Sequence, residues 1–73
     1  MDFKEYTSDK LWPTLADTVH ALVMYPNHKA YTKETILPEK PEITPTELAN
    51  RLGMPVGEAL VILQELSEQK KNQ

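Results

Sequence analysis

The segment 43–56 constrains the fold of this chain more than any other part of the sequence. Thr44 can cap a helix with its hydroxyl, and Glu47 can accept in return from the backbone N–H of Thr44, which makes a capping box. Pro45 falls at the first helical position, where its missing N–H costs nothing. Gly53 favours the left-handed conformation that ends a helix. The segment therefore predicts a helix, a tight glycine turn and the start of a second helix.

The spacing of apolar residues predicts one helix before this motif, from about Lys10 or Pro13 to about Tyr25. Its stripe recurs at three- and four-residue steps and consists of Trp12, Leu15, Ala16, Val19, Leu22 and Val23. Pro26 and Asn27 are expected to end this helix, because the residue before a proline resists helical dihedral angles.

The motif itself supplies the second and third helices. The second covers about Pro45 to Leu52, and the third runs from about Val56 to Gln69. The core stripe of the third helix has the i, i+3, i+4, i+7 spacing and consists of Ala59, Ile62, Leu63 and Leu66. Gln64, Glu65 and Glu68 are expected to face away from that stripe.

Three segments are expected to lie outside the helices. Residues 1–8 are predicted as a loose arm, residues 26–43 as a long proline-containing loop, and residues 70–73 as a frayed tail. The stretch from Tyr31 to Leu37 is rich in threonine and apolar residues, which allows one short strand or hairpin. With 73 residues, the chain is expected to form a single all-α domain of three helices.

The composition excludes several kinds of protein. The chain has no cysteine, so disulfides and thiolate metal sites are excluded. His20 and His28 are the only histidines, and no tight carboxylate cluster joins them, so no metal site is expected and His20 is expected at the surface. No apolar run approaches the roughly 20 residues of a membrane span. The N-terminus lacks the order of a signal peptide, so a cytoplasmic protein without a membrane partner is expected.

No constellation of residues indicates catalysis. Ser8 and Ser67 lack the glycines of a nucleophile elbow. Gly53 and Gly57 are the only glycines, so no phosphate-binding loop is present in the sequence. The chain is therefore expected not to be an enzyme, and to have no catalytic residues, no cofactor and no small-molecule ligand.

Residues 44–55, Thr-Pro-Thr-Glu-Leu-Ala-Asn-Arg-Leu-Gly-Met-Pro, together with the apolar spacing of residues 59–66, resemble the winged helix-turn-helix regulators, such as the MarR-like and IclR-like groups. The resemblance covers residues 43–68. It implies that Ala49 lets two helices approach closely, that Gly53 makes the turn, and that the following helix is the recognition helix. It also implies a winged-helix-like topology and a transcription regulator that binds DNA.

The charge distribution departs from the pattern of that family. Between residues 42 and 69, five acidic residues stand against one basic residue, Arg51, whereas DNA binding usually leaves a basic footprint on the contacting face. Recognition helices offer basic or amide side chains to the major groove, and Gln64 is the one conventional base reader here. Too few residues follow Glu68 for the β-hairpin wing of the family.

Two functions therefore compete. The first is a helix-turn-helix module of a transcription regulator with weak or context-dependent DNA binding, which stands slightly ahead because the pattern is mostly used in that way. Its candidate DNA contacts are Arg51, Gln64, Lys29, Lys33, Lys40, Lys70 and Lys71. The lysines of residues 26–43 belong either to a solvated loop or to a surface that follows a nucleic-acid backbone.

The second function is a protein-interaction or dimerisation module on the same fold, without DNA binding. In this hypothesis Leu60 and Val61 form an exposed patch for a protein partner or for a second copy of the chain. The other interpretation of the two residues is that they flank a broad core stripe, since proteins expose much apolar surface.

Overall fold

Residues 4–71 are described by the computed structural model, with side chains for residues 5–69. Every regular element within that range is helical, so the prediction of an all-α fold is confirmed. The elements are α1 (Lys4–Thr7), α2 (Trp12–His20), α3 (Tyr25–Tyr31), a π-helical turn (Thr32–Ile36), α4 (Leu37–Glu39), α5 (Pro45–Leu52) and α6 (Val56–Lys71). α3, the π-helical turn and α4 follow one another without a break, so they form one continuous helical segment between α2 and α5.

The capping motif forms as predicted, and the bounds of α5 agree with the prediction. The Thr44 hydroxyl accepts from the backbone N–H of Glu47 at 3.2 Å, and the backbone N–H of Thr44 donates to the Glu47 carboxylate at 3.3 Å. Gly53 has a φ of 71°. The backbone N–H groups of Gly53 and Met54 both donate to the carbonyl of Ala49, at 2.9 and 3.0 Å. These bonds end α5 and direct the chain into α6.

α6 lies at the centre of the fold, packed against α2, α3 and α5. Its predicted core stripe is confirmed, since all four side chains are buried: Ala59, Ile62, Leu63 and Leu66. Glu58, Val61 and Gln64 are buried as well, so the prediction that Gln64 faces away from the core is wrong. Glu65 is half-buried and Glu68 is exposed. The predicted stripe includes only part of the buried surface of α6, because other helices contact α6 from several sides.

The first predicted helix is too long. α2 ends at His20, and the chain turns through the exposed residues Leu22 and Val23 before α3 begins at Tyr25. Pro26 does not end a helix but lies in the first turn of α3. Proline is favourable at that position, because its fixed φ suits a helix and its missing N–H has no intrahelical partner to lose.

The long loop predicted for residues 26–43 is wrong, and so is the strand allowed within it. Residues 26–39 are helical, and none of residues 4–71 forms a strand. Pro38 directly follows the π-helical turn inside this continuous segment, although a proline has no N–H to donate to the preceding turn. Thr32 and Ile36 are buried, and packing of this kind stabilises a helix whose local propensity is weak. Only residues 40–44 remain as a connection to α5.

The two ends of the chain lie partly outside the described residues. Within the predicted loose arm, residues 4–7 form α1, whereas residues 1–3 are outside the described range. Within the predicted frayed tail, the backbone is helical to Lys71, and the side chains of residues 70–73 are outside that range. Along the described part of the chain, no helix has both the length and the apolar character needed to cross a membrane.

Candidate functional site

Three of the four cations with described side chains that the sequence suggested as DNA contacts are paired with glutamates. The pairs are Lys29–Glu65 at 3.3 Å, Arg51–Glu39 at 3.6 Å, and Lys40–Glu47. Lys33 is exposed and has no ion pair among the side chains of residues 5–69. Lys70 and Lys71 lie outside the described side chains. The positive charges of Lys29, Arg51 and Lys40 are therefore each compensated locally by a carboxylate.

Gln64, Leu60 and Val61 do not form the exposed surface that the two predicted functions require. Gln64 is 7% exposed and Val61 is 0% exposed, so neither side chain is presented to solvent. Leu60 is half-buried. The prediction of an exposed patch is therefore wrong at Val61, and Gln64 offers no accessible amide to a base. The reason is that α6 is covered on the sides that carry these residues.

The exposed apolar side chains lie elsewhere on the molecule. Within the described residues, the large ones are Tyr6, Leu11, Leu22, Val23, Met24, Tyr31 and Val56. Three of them are consecutive in the turn between α2 and α3. Tyr6 and Leu11 lie close to the start of α2, beside a depression in the surface.

That depression is an open groove of about 200 Å³ between α1, the start of α2 and α6. We call it the Trp12 groove, and its lining residues are Glu5, Tyr6, Asp9, Leu11, Trp12, Leu15 and Leu60. Trp12, Leu15 and Leu60 are half-buried. Asp9 accepts a hydrogen bond from the backbone N–H of Leu11 at 2.8 Å, which fixes the turn that leads into α2.

A cluster of polar side chains surrounds Glu65, which lies in the C-terminal half of α6. His20 Nε2 lies 2.7 Å from Glu65 Oε2. The Tyr25 hydroxyl donates to Glu65 Oε1, and Lys29 Nζ lies 3.2 Å from the Tyr25 hydroxyl oxygen. Lys29 Nζ also lies 5.6 Å from the centre of the Tyr25 ring, within the range of a cation–π interaction. Glu65 thus joins the end of α2 and the start of α3 to α6.

This cluster shifts the pKa values of three groups. Burial raises the pKa of the Tyr25 hydroxyl, and its hydrogen bond to Glu65 raises it further. Burial opposes the charge of Glu65, but hydrogen bonds with Tyr25 and His20 and the charge of Lys29 together lower the pKa of Glu65. Burial also opposes the charge of Lys29, whereas its hydrogen bond to Tyr25 and the nearby Glu65 carboxylate raise the pKa of Lys29. An ionised Glu65 and a protonated Lys29 are therefore the stable forms in the cluster.

A second polar contact joins α3 to α6. His28 Nδ1 lies 2.6 Å from Glu58 Oε2, and the two side chains are 18% and 3% exposed. The Thr32 hydroxyl donates to the carbonyl of His28 at 2.7 Å, one turn before the π-helical segment. Glu58 and Glu65 are two helical turns apart on α6, so they lie along the same side of the helix.

These contacts satisfy the buried polar groups and leave no free ligand position among them. No buried side-chain nitrogen or oxygen of the described residues lacks a hydrogen-bond partner. Across the same residues, no group of three or more histidine, aspartate or glutamate side chains is arranged to hold a metal ion. The polar contacts therefore hold helices together, whereas the Trp12 groove is a depression with accessible apolar surface.

Sequence reasoning missed both the polar contacts and the groove. The two glutamates that pair with histidines are 30 and 45 residues from them along the chain, and sequence spacing carries no signal for such distant partners. The apolar spacing places Trp12 in a core stripe, and this pattern gives no sign of its partly exposed position. Comparison with protein-family models, curated proteins and solved structures found no match to this chain.

Proposed function

We propose that this chain is a protein-interaction module and that α6 does not read DNA. The observation that carries this proposal is the burial of α6, because no residue from Gly57 to Ser67 is exposed. A recognition helix needs one solvent-facing side to enter the major groove. Here α2, α3 and α5 pack against α6. This reverses the order of the two functions that the sequence alone favoured.

The charges of the molecule support the same proposal. Affinity for DNA depends on cations that neutralise phosphates, and the net charge of the chain is −3. Lys29 and Arg51 are each paired with a glutamate. If such a pair opens to contact a phosphate, its carboxylate is left close to the DNA, which is repulsive. Any binding to DNA is therefore expected to be weak.

We infer that α5, the Gly53 turn and α6 form a helix-turn-helix unit with a winged-helix-like topology that serves packing. The capping box and the left-handed Gly53 support this inference. At the start of α6 the exposed residues are Pro55, which directly precedes the helix, and Val56. Neither side chain can form a hydrogen bond with a base edge, which is how a recognition helix gains specificity.

Binding of random duplex DNA, followed by fluorescence anisotropy at low and at physiological salt, tests the proposal. We expect weak binding at low salt and a shallow salt dependence, since each neutralised phosphate adds about 0.9 to the log–log slope. Tight binding that persists at physiological salt would contradict the proposal and favour a regulator that binds DNA.

A matched pair of variants tests the role of the ion pairs. Glu39→Gln with Glu47→Gln frees Arg51 and Lys40, and glutamine in place of Glu47 keeps the capping box. Glu34→Gln with Glu42→Gln removes the same charge at exposed positions that have no ion pair among the described side chains. The first double variant should bind duplex DNA more tightly at low salt than the second. Equal binding by both would show that net charge, rather than the ion pairs, limits DNA binding.

A further inference from the structure

We propose that the Trp12 groove binds a short segment of a partner protein that combines apolar side chains with lysine or arginine. In this arrangement an apolar side chain of the partner packs against Trp12, Leu15 and Leu60, and the cations lie beside Glu5 and Asp9. The proposal rests on the proposed function, because it names the surface and the kind of partner for a protein-interaction module.

The size and lining of the groove fit a few side chains of a peptide. Its volume of about 200 Å³ is below the roughly 300–1,000 Å³ that is usual for small-molecule sites. Leu11 is 71% exposed and Tyr6 is 38% exposed, so apolar surface continues from the groove onto its edge. Exposed apolar surface that is contiguous and has polar residues at its rim is typical of protein-binding sites.

The inner part of the groove belongs to packed helices. Leu15 approaches α6 where Gly57 has no side chain, and a Cβ atom at Gly57 would lie 3.2 Å from Leu15 Cδ1. Trp12 and Leu15 are both on α2, which packs against α6. A partner would therefore meet a surface that is already formed, which lowers the entropic cost of binding.

The charges at the groove select a cationic partner. Glu5 and Asp9 are exposed carboxylates, and the residues that line the groove within the described chain include no lysine or arginine. Asp9 is held in position by its hydrogen bond with the backbone of Leu11. The face of an indole ring such as that of Trp12 attracts cations as well. A polyanion such as DNA is disfavoured here by the same two carboxylates.

Trp12 is the only tryptophan in the chain, so its fluorescence reports on the groove directly. The probe is a short peptide of alternating lysine and leucine, titrated into the full chain at physiological salt. Two matched peptides replace every lysine with glutamate or every leucine with serine. We expect a saturable change of Trp12 emission with the lysine–leucine peptide and little change with either control peptide, because the groove needs both chemical features.

A charge variant and its control place the binding at the groove. Glu5→Gln with Asp9→Asn removes both carboxylates and keeps an oxygen that can accept from Leu11. It should weaken binding by about threefold to thirtyfold, the range for two exposed charge pairs. Glu34→Gln with Glu42→Gln changes the net charge equally at positions outside the groove and should leave the affinity within about twofold of the parent.

A substitution of the exposed apolar edge tests the other half of the proposal. Leu11→Ser changes a side chain that is 71% exposed, so the fold should be retained, and circular dichroism checks this. We expect weaker binding of the lysine–leucine peptide, because apolar contact area is lost. Retention of the parent affinity in Leu11→Ser and in Glu5→Gln with Asp9→Asn would overturn the proposal.

Three other outcomes also overturn it. Equal affinity for the glutamate–leucine peptide would show that charge does not select the partner, and no response to any peptide would show that the groove does not take such a segment. A change of Trp12 emission with protein concentration alone would make a second copy of the chain the occupant. Each of these results leaves the DNA measurement unchanged, whereas tight DNA binding at physiological salt would contradict the proposed function itself.

Discussion

The two sides of α6 are held by different forces. On the side that packs against α5, Ile62 belongs to one apolar cluster with Leu48. On the side that packs against α3, Glu58 contacts His28, and Glu65 contacts Tyr25. Apolar packing is non-directional and grows with buried area, whereas a hydrogen-bonded pair requires specific partners in a specific geometry. The α5 side is therefore expected to supply most of the stability, and the α3 side to fix where α3 lies on α6.

The largest effect on the free energy of unfolding is expected from a cavity on the apolar side of α6, which packs against α5. Ile62 is 0% exposed, so Ile62→Ala should lower the free energy of unfolding by about 2–5 kcal/mol. Such a loss is a large share of the roughly 5–15 kcal/mol that holds a typical domain together. Urea unfolding beside the parent measures it, with Ile62→Val as the graded control at about 0.5–1.5 kcal/mol. An Ile62→Ala variant as stable as the parent would place the core elsewhere.

An intermediate effect on the free energy of unfolding is expected from a substitution of Glu58, on the polar side of α6 that packs against α3. Glu58→Gln keeps the shape of a side chain that is 3% exposed but weakens its contact with His28, at a cost of about 1–3 kcal/mol. A double-mutant cycle with His28→Gln isolates the pair, and we expect a coupling free energy of about 0.5–3 kcal/mol. Additive effects of the two substitutions would show that this contact does not hold α3 on α6.

The pH dependence of stability should come from the polar side of α6 and from Glu47 in the capping box, because hydrogen bonds with Lys40 and Thr44 lower the pKa of Glu47. The pKa of Glu65 is lowered in the folded protein, so its contribution is present above the ordinary glutamate value of 4.5 and is lost as the pH falls through the folded pKa. The pKa values of Tyr25 and Lys29 are raised. Their contributions are therefore present below ordinary values of 10.0 and 10.5, and are lost as the pH rises further.

Unfolding measured across the pH range compares Glu65→Gln and Ile62→Ala with the parent. Glu65→Gln should flatten the fall in stability in acid, because the variant has no carboxylate to protonate at that position. Ile62→Ala should lower the whole profile in parallel with the parent. A parent profile that keeps its acid slope after Glu65→Gln would assign that slope to other carboxylates.

The smallest effect is expected at an exposed ion pair away from both sides of α6. Arg51 Nη2 lies 3.6 Å from Glu39 Oε2, and the two side chains are 48% and 64% exposed. Arg51→Gln should therefore change the free energy of unfolding by less than about 1 kcal/mol. Chemical denaturation checks this, and a loss comparable to that of Glu58→Gln would mean that exposed charges contribute as much as the buried contact.

The same contrast explains how much of the fold the sequence predicts. Thr44, Glu47 and Gly53 act on backbone groups within a few residues, so the bounds of α5 follow from local chemistry. Pro26 is ambiguous, because proline both ends helices and begins them. The choice between these roles depends on tertiary packing, in which Thr32 and Ile36 become buried, and no local pattern records this.

The candidate site was predicted less well than the fold for a related reason. The apolar stripe of α6 places Gln64 on a free side of the helix and leaves Val61 open between an exposed patch and the flank of the core. The helices that cover the other sides include α3, which lies in the segment predicted as a loop. The sequence does not anticipate this helix and so underestimates how many helices pack against α6.

The most direct test of the central claim measures whether α6 is covered. The chain has no cysteine, so Gln64→Cys and Glu68→Cys each introduce a single thiol, one helical turn apart. Labelling with a thiol reagent should be fast in Glu68→Cys and at least roughly 100-fold slower in Gln64→Cys, because position 64 is reached only when the fold opens. Equal labelling rates in two variants with the helical content of the parent would contradict the account and make α6 a candidate recognition helix again.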